Sequence, residues 1–167
     1  MRFALVALIL AVAPVFAQNP APACGPAGTD FKVSFDKAPH AVAQPESGMA
    51  RIYFIHDTGT FFQHPFGYPT VKVGVDGAWS GANHGDSFFW ADVPPGEHHI
   101  CATLQTSVMD RRVELAHLNA EPGKTYFFRT RLLLSGTVEV LELDPIDSDQ
   151  GAYLVSQFAL SLSKPKK

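Results

Sequence analysis

The sequence has little of several features that define large classes of protein. Beyond Ala17 it has no apolar run approaching the roughly 20 residues that a membrane-spanning helix needs. It has no excess of basic residues, because 13 Lys and Arg stand against 16 Asp and Glu and give a net charge of −3. The HExxH and CxxC spacings of common zinc sites are also missing. These absences exclude a later spanning segment, standard zinc motifs, and nucleic acid as a partner, whose binding depends mainly on a basic patch.

Residues 1–17 have the pattern of a secretory signal peptide. Arg2 gives a charged start, residues 3–12 are apolar, and Ala17 is a small residue at the expected cleavage point. Pro14 and the short apolar stretch argue against a spanning helix. We therefore expect cleavage after Ala17, export to the periplasm or out of the cell, and a mature chain without a transmembrane segment.

The chain has two cysteines, Cys24 and Cys101. Cys24 could carry a lipid, but Ala21, Pro22 and Ala23 precede it where a lipoprotein signal usually has Leu three residues before the cysteine, so lipid anchoring is not favoured. An exported protein meets an oxidising space, which favours a Cys24–Cys101 disulfide. Closing that loop would stabilise the fold by roughly 4 kcal/mol in the chain-entropy model.

Composition divides the mature chain into three parts. We expect an extended, Pro- and Ala-rich leader over residues 18–48, one β domain over residues 49–162 and a basic tail over residues 163–167. In the domain, apolar residues alternate and Pro or Gly turns recur, which is typical of a sandwich or barrel. The predicted strands cover residues 51–56, 70–76, 86–93, 97–104, 113–120, 124–134 and 137–143. Phe31, Val33 and Phe35 also alternate as in a short strand within the leader. The predicted fold is mainly β: an antiparallel β-sandwich of about seven strands, Ig-like or transthyretin-like in layout, with a short C-terminal helix.

Two local patterns predict specific details of the sandwich, a hairpin turn and the orientation of one strand. Asp76-Gly77 is typical of a tight hairpin turn. In the strand at 97–104, alternation turns Ile100, Ala102 and Leu104 inward, so that His99 and Cys101 lie on the opposite face. The disulfide would then hold the leader across the outside of this strand.

The period changes to helical spacing over residues 150–162, although a last strand is an alternative there. The acidic residues before it, Asp144, Asp147 and Asp149, resemble an oxygen-rich calcium loop. Pro145 disrupts that spacing and no later bidentate Glu follows. We interpret the run as a helix-capping turn with Asp147 or Asp149 as the cap.

Four segments carry a family resemblance: ARIYFIH, PTVKVGVDG, FFWADVPPGEHHICA and VELAHLNAEPGKTYFFRTR. Its best markers are residues 93–98 (VPPGEH) and residues 123–127 (GKTYF). Over residues 50 to about 160 the chain resembles the bacterial family called domain of unknown function 2846. The resemblance implies an exported or lipid-anchored bacterial protein, and the family has no agreed activity to carry over.

The adjacent histidines His98 and His99 are weak candidates for a metal site. Neighbours on a strand point to opposite faces, so both could ligate one ion only across a bulge. We interpret the other histidines as ordinary surface or turn residues: His40, His56, His64, His84 and His117. No catalytic residues and no cofactor are predicted.

An aromatic segment between two predicted strands is the candidate binding surface. Its residues, together with a tryptophan further along the chain, are Phe61, Phe62, His64, Phe66, Tyr68 and Trp79. If exposed, these side chains would form an apolar patch of the kind that marks a partner site. If folded over the end of the sandwich, they would be part of its core.

The sequence therefore predicts a secreted or periplasmic, non-catalytic β-sandwich module with a binding or structural role at the cell envelope. Its partner would be an unknown envelope protein or a glycan, and the sequence does not predict an oligomeric state. The alternative is a metal-assisted hydrolase that uses the histidines near residues 94–99.

Overall fold

The computed structural model describes residues 24–59, 68–105, 113–135 and 138–167, which form ten strands and one helix. The strands are β1 (Phe31–Asp36), β2 (Ala50–His56), β3 (Thr70–Val75), β4 (Ala78–His84), β5 (Ser87–Val93), β6 (Gly96–Leu104), β7 (Glu114–Ala120), β8 (Thr125–Ser135), β9 (Val138–Ile146) and β10 (Ala159–Pro165). The helix is α1 (Ser148–Gln157). Across these ranges, no helix has the length and apolar character needed to cross a membrane.

The strands form two sheets, which confirms the predicted mainly β sandwich. One sheet has six strands in the order β1-β10-β5-β2-β8-β9, and the other has four in the order β4-β3-β6-β7. The four-stranded sheet is antiparallel throughout. The six-stranded sheet is mixed, because β10 pairs with β5 and β2 pairs with β8 in parallel. The prediction of a purely antiparallel sandwich is corrected at these two pairs.

The seven predicted strands correspond to β2, β3, β5, β6, β7, β8 and β9, and the possible strand at residues 31–35 corresponds to β1. β1 lies within the segment expected to be an extended leader, and β10 follows the helix and continues into the expected tail. β4 was not predicted. Its inward residues, Gly81 and Asn83, carry no apolar alternation that would reveal a strand.

The main core lies between the two sheets. Its buried residues are Ala50, Ile52, Phe54, Val71, Val73, Val75, Phe89, Val93, Ile100, Ala102, Leu118, Ala120, Phe128, Leu141 and Leu143. At about 25 cal/mol per Å² of apolar surface removed from water, this layer is the largest favourable contribution to folding.

A second core lies on the other face of the six-stranded sheet. Tyr53 and Ile55 of β2 and Phe127 of β8 pack against Leu154 and Val155 of α1. Asp147 caps the helix, since its Oδ1 accepts hydrogen bonds from the backbone N–H groups of residues 149 and 150 at 3.0 and 2.9 Å. These bonds confirm the capping interpretation of the acidic run. The helix itself adds a third layer to the sandwich.

The β3–β4 hairpin turns at Asp76-Gly77, as predicted. Both residues have positive φ, 51° for Asp76 and 82° for Gly77, which is the type I′ geometry of two-residue hairpins. The pairing shifts register after Val73, so that Ser80 is an extra residue in β4. The bulge turns Trp79 to the outer face while Gly81 stays inside.

A buried polar cluster closes one end of the sandwich. His56 is fully buried, and its Nδ1 donates to the carbonyl oxygen of Thr130 at 3.2 Å. Asn83 donates to the carbonyl of Phe54, and Ser87 donates to Asn83. Burial, which outweighs the contact with Thr130, lowers the pKa of His56 to about 4.

We expect Gly151→Ala to destabilise the protein by about 1–2 kcal/mol, because a Cβ at this position would collide with the Phe127 ring. Helix propensity alone predicts the opposite, a gain of about 1 kcal/mol. Urea unfolding distinguishes the two outcomes. Ala152→Gly, on the exposed side of the helix, is the matched control and should cost about 0.5–1 kcal/mol by propensity alone. A stabilising Gly151→Ala would contradict the close helix–sheet packing.

Between pH 6.5 and about 4, the unfolded chain protonates His56 while the folded chain keeps it neutral. The stabilising contribution of neutral His56 to the free energy of unfolding is therefore fully present above pH 6.5. It is lost as the pH falls to about 4, and the total loss is about 3 kcal/mol. Unfolding free energies measured across this range should show the loss in the wild type. His56→Asn should not show this loss of unfolding free energy. Parallel pH curves for the two proteins would refute the attribution of the loss to His56.

Candidate functional site

The outer face of the four-stranded sheet gathers several residues that the sequence singled out. Ile100 and Ala102 of β6 point into the core, whereas His99 and Cys101 point outward, as predicted from alternation. Trp79 reaches the same outer face through the bulge in β4. The face has two halves in the described part of the chain: the N-terminal segment at residues 24–30 covers the β4–β3 half, whereas His99, Leu115 and His117 on the β6–β7 half are exposed.

The predicted disulfide between Cys24 and Cys101 is present, with their Cα atoms 5.2 Å apart. It ties the segment at residues 24–30 across the outside of the sheet, as expected. The backbone of Cys24 lies so close to Gly74 that any Cβ at residue 74 would collide with its carbonyl group. Glycine is therefore required in β3 where the segment crosses it.

Trp79 and Lys72 hold the same segment by polar contacts. The Nε1 of Trp79 donates to the carbonyl oxygen of Pro26 at 2.8 Å, and the Nζ of Lys72 donates to the carbonyl of Thr29 at 2.7 Å. The Lys72 ammonium also lies 4.6 Å from the centre of the Trp79 ring, a cation–π contact. Burial lowers the pKa of Lys72. Trp79 thus anchors the N-terminal segment.

Tyr68 lies at the other end of the β3–β4 hairpin from Trp79. Trp79 pairs with Gly74 near the turn, whereas Tyr68 packs near Gly85, beyond the opposite end of the hairpin. The structure therefore does not bring these two predicted binding residues together. Phe61, Phe62, His64 and Phe66 lie outside the described residues.

His98 is buried and engaged at both ring nitrogens. Nε2 donates to the carbonyl oxygen of Pro94 at 2.7 Å, and Nδ1 lies 2.6 Å from Oδ2 of Asp76. Burial favours the neutral form of Asp76, but hydrogen bonds from His98 and from the His99 backbone outweigh it and lower the pKa of Asp76. His98 thereby links the 94–96 corner to the β3–β4 turn, and it does not share a face with His99.

His99 has a different neighbour, which the sequence analysis did not single out. It is directly opposite His117 in the β6–β7 register, both side chains are exposed, and the ring centres are 5.6 Å apart. His117 was interpreted as an ordinary surface histidine because its pairing depends on strand register. Beside them on β7, Leu115 is 53% exposed, and Val113 just before this strand is 44% exposed, so the surface here is partly apolar.

Within the described ranges, no three or more His, Cys, Asp or Glu side chains converge as a metal site would require. Of the acidic run considered for calcium, Asp147 caps the helix and Asp144 lies 3.9 Å from the guanidinium of Arg131. The run therefore acts in capping and ion pairing.

A cleft of about 180 Å³ lies near the edge where β7 approaches β8 and β9. Its lining residues are His117, Leu118, Thr125, Tyr126, Phe127, Phe128, Pro145, Ile146 and Ser148. Sites for small organic molecules usually enclose roughly 300–1,000 Å³. This cleft can hold one side chain or a few waters, not a substrate of that size.

Comparison with known proteins gives one family. The family described as "Protein of unknown function (DUF2846)" matches residues 46–142, which run from just before β2 into β9. No curated protein and no solved structure matches the chain. Because the match covers more than half of the sequence, the protein belongs to this family of unknown function.

Proposed function

We propose that the protein is exported through its signal peptide and works outside the cytoplasm as a non-catalytic binding module. The observation that carries the proposal is the Cys24–Cys101 disulfide, which joins the start of the expected mature chain to the centre of the four-stranded sheet. Such bonds form and persist in oxidising compartments and are rare in the cytosol.

His98 and the pair formed by Arg51 and Asp92 are engaged in holding the fold together. Both nitrogens of His98 are hydrogen bonded. Arg51 and Asp92 form a bidentate pair with two contacts of 2.7 Å beneath Trp90, and this pairing lowers the pKa of Asp92. Recruiting His98 for hydrolysis would break both of its contacts. This counts against a hydrolase that uses His98.

For the binding surface we propose the aromatic segment at residues 61–68, with an envelope protein or a glycan as its partner. The described residues on either side of this segment support the choice. Thr58 is tied to Asp86 through its backbone N–H and its hydroxyl, and Tyr68 lies near Gly85. Both ends of the segment are thus attached beside the β4–β5 turn. Trp79 belongs to the N-terminal anchor, so the proposed surface does not include it.

Expression of the full chain in a Gram-negative host tests export. We expect a periplasmic product that starts at Gln18, with no thiol that reacts under denaturing conditions. Leu8→Asp, which interrupts the apolar run of the signal peptide, is the control and should leave an unprocessed chain in the cytoplasm. A cytoplasmic, thiol-reactive wild-type product would contradict the proposal, and so would a lipid-modified chain that starts at Cys24.

Replacing Phe62 and Phe66 together by Ser tests the binding surface. We expect the melting temperature to stay nearly unchanged, because exposed residues contribute little to stability. Phe89→Ser in the buried core is the control and should lower it by several degrees. An envelope partner recovered by the wild type should also be lost with the double variant. A melting temperature as low as that of the control would show that the segment is core.

A further inference from the structure

The open half of the outer face presents two imidazoles side by side. His99 lies on β6 and His117 on β7, they are directly opposite in register, and both are exposed. Among the described residues, no hydrogen bond engages the ring nitrogens of His99 or His117, in contrast to those of His98. The backbone N–H and carbonyl of His99 both bond to Asp76, on the side away from β7.

This hydrogen-bond direction determines the kind of strand pair. Because the backbone groups of His99 face β3, the pairing of His99 with His117 is a non-hydrogen-bonded antiparallel pair. In such pairs the Cα atoms are about 4.5 Å apart and the side chains approach more closely than in the alternate pairs. Two rigid strands therefore hold the imidazoles together without a loop to order.

The ring separation fits a shared metal ion. With a metal–nitrogen bond of about 2.0–2.1 Å, each ring centre lies about 3.2 Å from the ion, so two imidazoles in a tetrahedral complex have centres about 5.2 Å apart. The observed separation is 5.6 Å, with the ring planes at 57° to each other. Small rotations of two exposed side chains are enough to close the difference.

We propose that His99 and His117 form a two-histidine site for a divalent transition-metal ion, with water in the remaining coordination positions. Imidazole is a preferred ligand of Zn²⁺, Cu²⁺ and Ni²⁺, and it does not favour Mg²⁺ or Ca²⁺. The site is separate from residues 94–98, because His98 points into the sandwich. It is also independent of the binding surface proposed at residues 61–68.

Calorimetric titration of the untagged, disulfide-bonded chain with Zn²⁺ alone tests the site. We expect one ion per chain, and His99→Asn and His117→Asn should each weaken binding by about tenfold or more, since the second bond to the ion becomes unavailable. Titration with Mg²⁺ should give no comparable signal. Electron paramagnetic resonance of the Cu²⁺ complex should show two nitrogen ligands in the wild type and fewer in each variant.

Two further variants are the controls. Leu115→Ala alters the same face of β7 without removing an imidazole, and His40→Asn removes a histidine elsewhere. Both should bind Zn²⁺ as the wild type does. The variants at His99, His117 and Leu115 should melt as the wild type does because these side chains are exposed. His40→Asn should lower the melting temperature, since the His40 ring packs edge-on against the buried Phe88. The proposal is overturned by Zn²⁺ binding no tighter than about millimolar, by binding that survives both histidine replacements, or by loss with only one of them.

Discussion

β2 carries large apolar side chains on both of its faces, and the layered structure depends on covering both. Ile52 and Phe54 face the four-stranded sheet, whereas Tyr53 and Ile55 face α1. One sheet packed on another would leave the second pair exposed to water, so the helix is as necessary to the fold as the second sheet. Parallel pairing with β8 and antiparallel pairing with β5 keep the backbone of this strand satisfied in the middle of the six-stranded sheet.

Side chains form hydrogen bonds to the backbone at strand edges of the sandwich, where pairing between strands ends. Ser161 donates to the carbonyl of Ala82, and Ser163 accepts from its N–H, so that β10 covers the edge of β4. The Gln105 amide does the same for Phe31 of β1, accepting from its N–H at 2.6 Å and donating to its carbonyl at 2.9 Å. Strand edges with unpaired backbone groups favour aggregation, and these contacts protect two of them.

Seven strands, the hairpin turn, the helix cap and the outward position of Cys101 could be predicted, because each leaves a local signal of alternation or turn chemistry. β4 could not, since its inward positions are Gly81 and Asn83 and a bulge at Ser80 interrupts its period. The parallel pairs and the contact between His99 and His117 depend on strand order and register. Those are decided by packing between segments far apart in the chain, which a local pattern does not record.

Adjacent residues on β6 acquire opposite roles from alternation alone. His98 points inward, where burial demands partners, and it has them in Asp76 and Pro94. His99 points outward beside the disulfide, where its ring is exposed to solvent and accessible to a ligand. Residues 24–30 of the N-terminal segment cover Trp79 and Lys72. The cross-link thus helps to cover the β4–β3 half of this face, whereas His99 and His117 on the β6–β7 half are exposed.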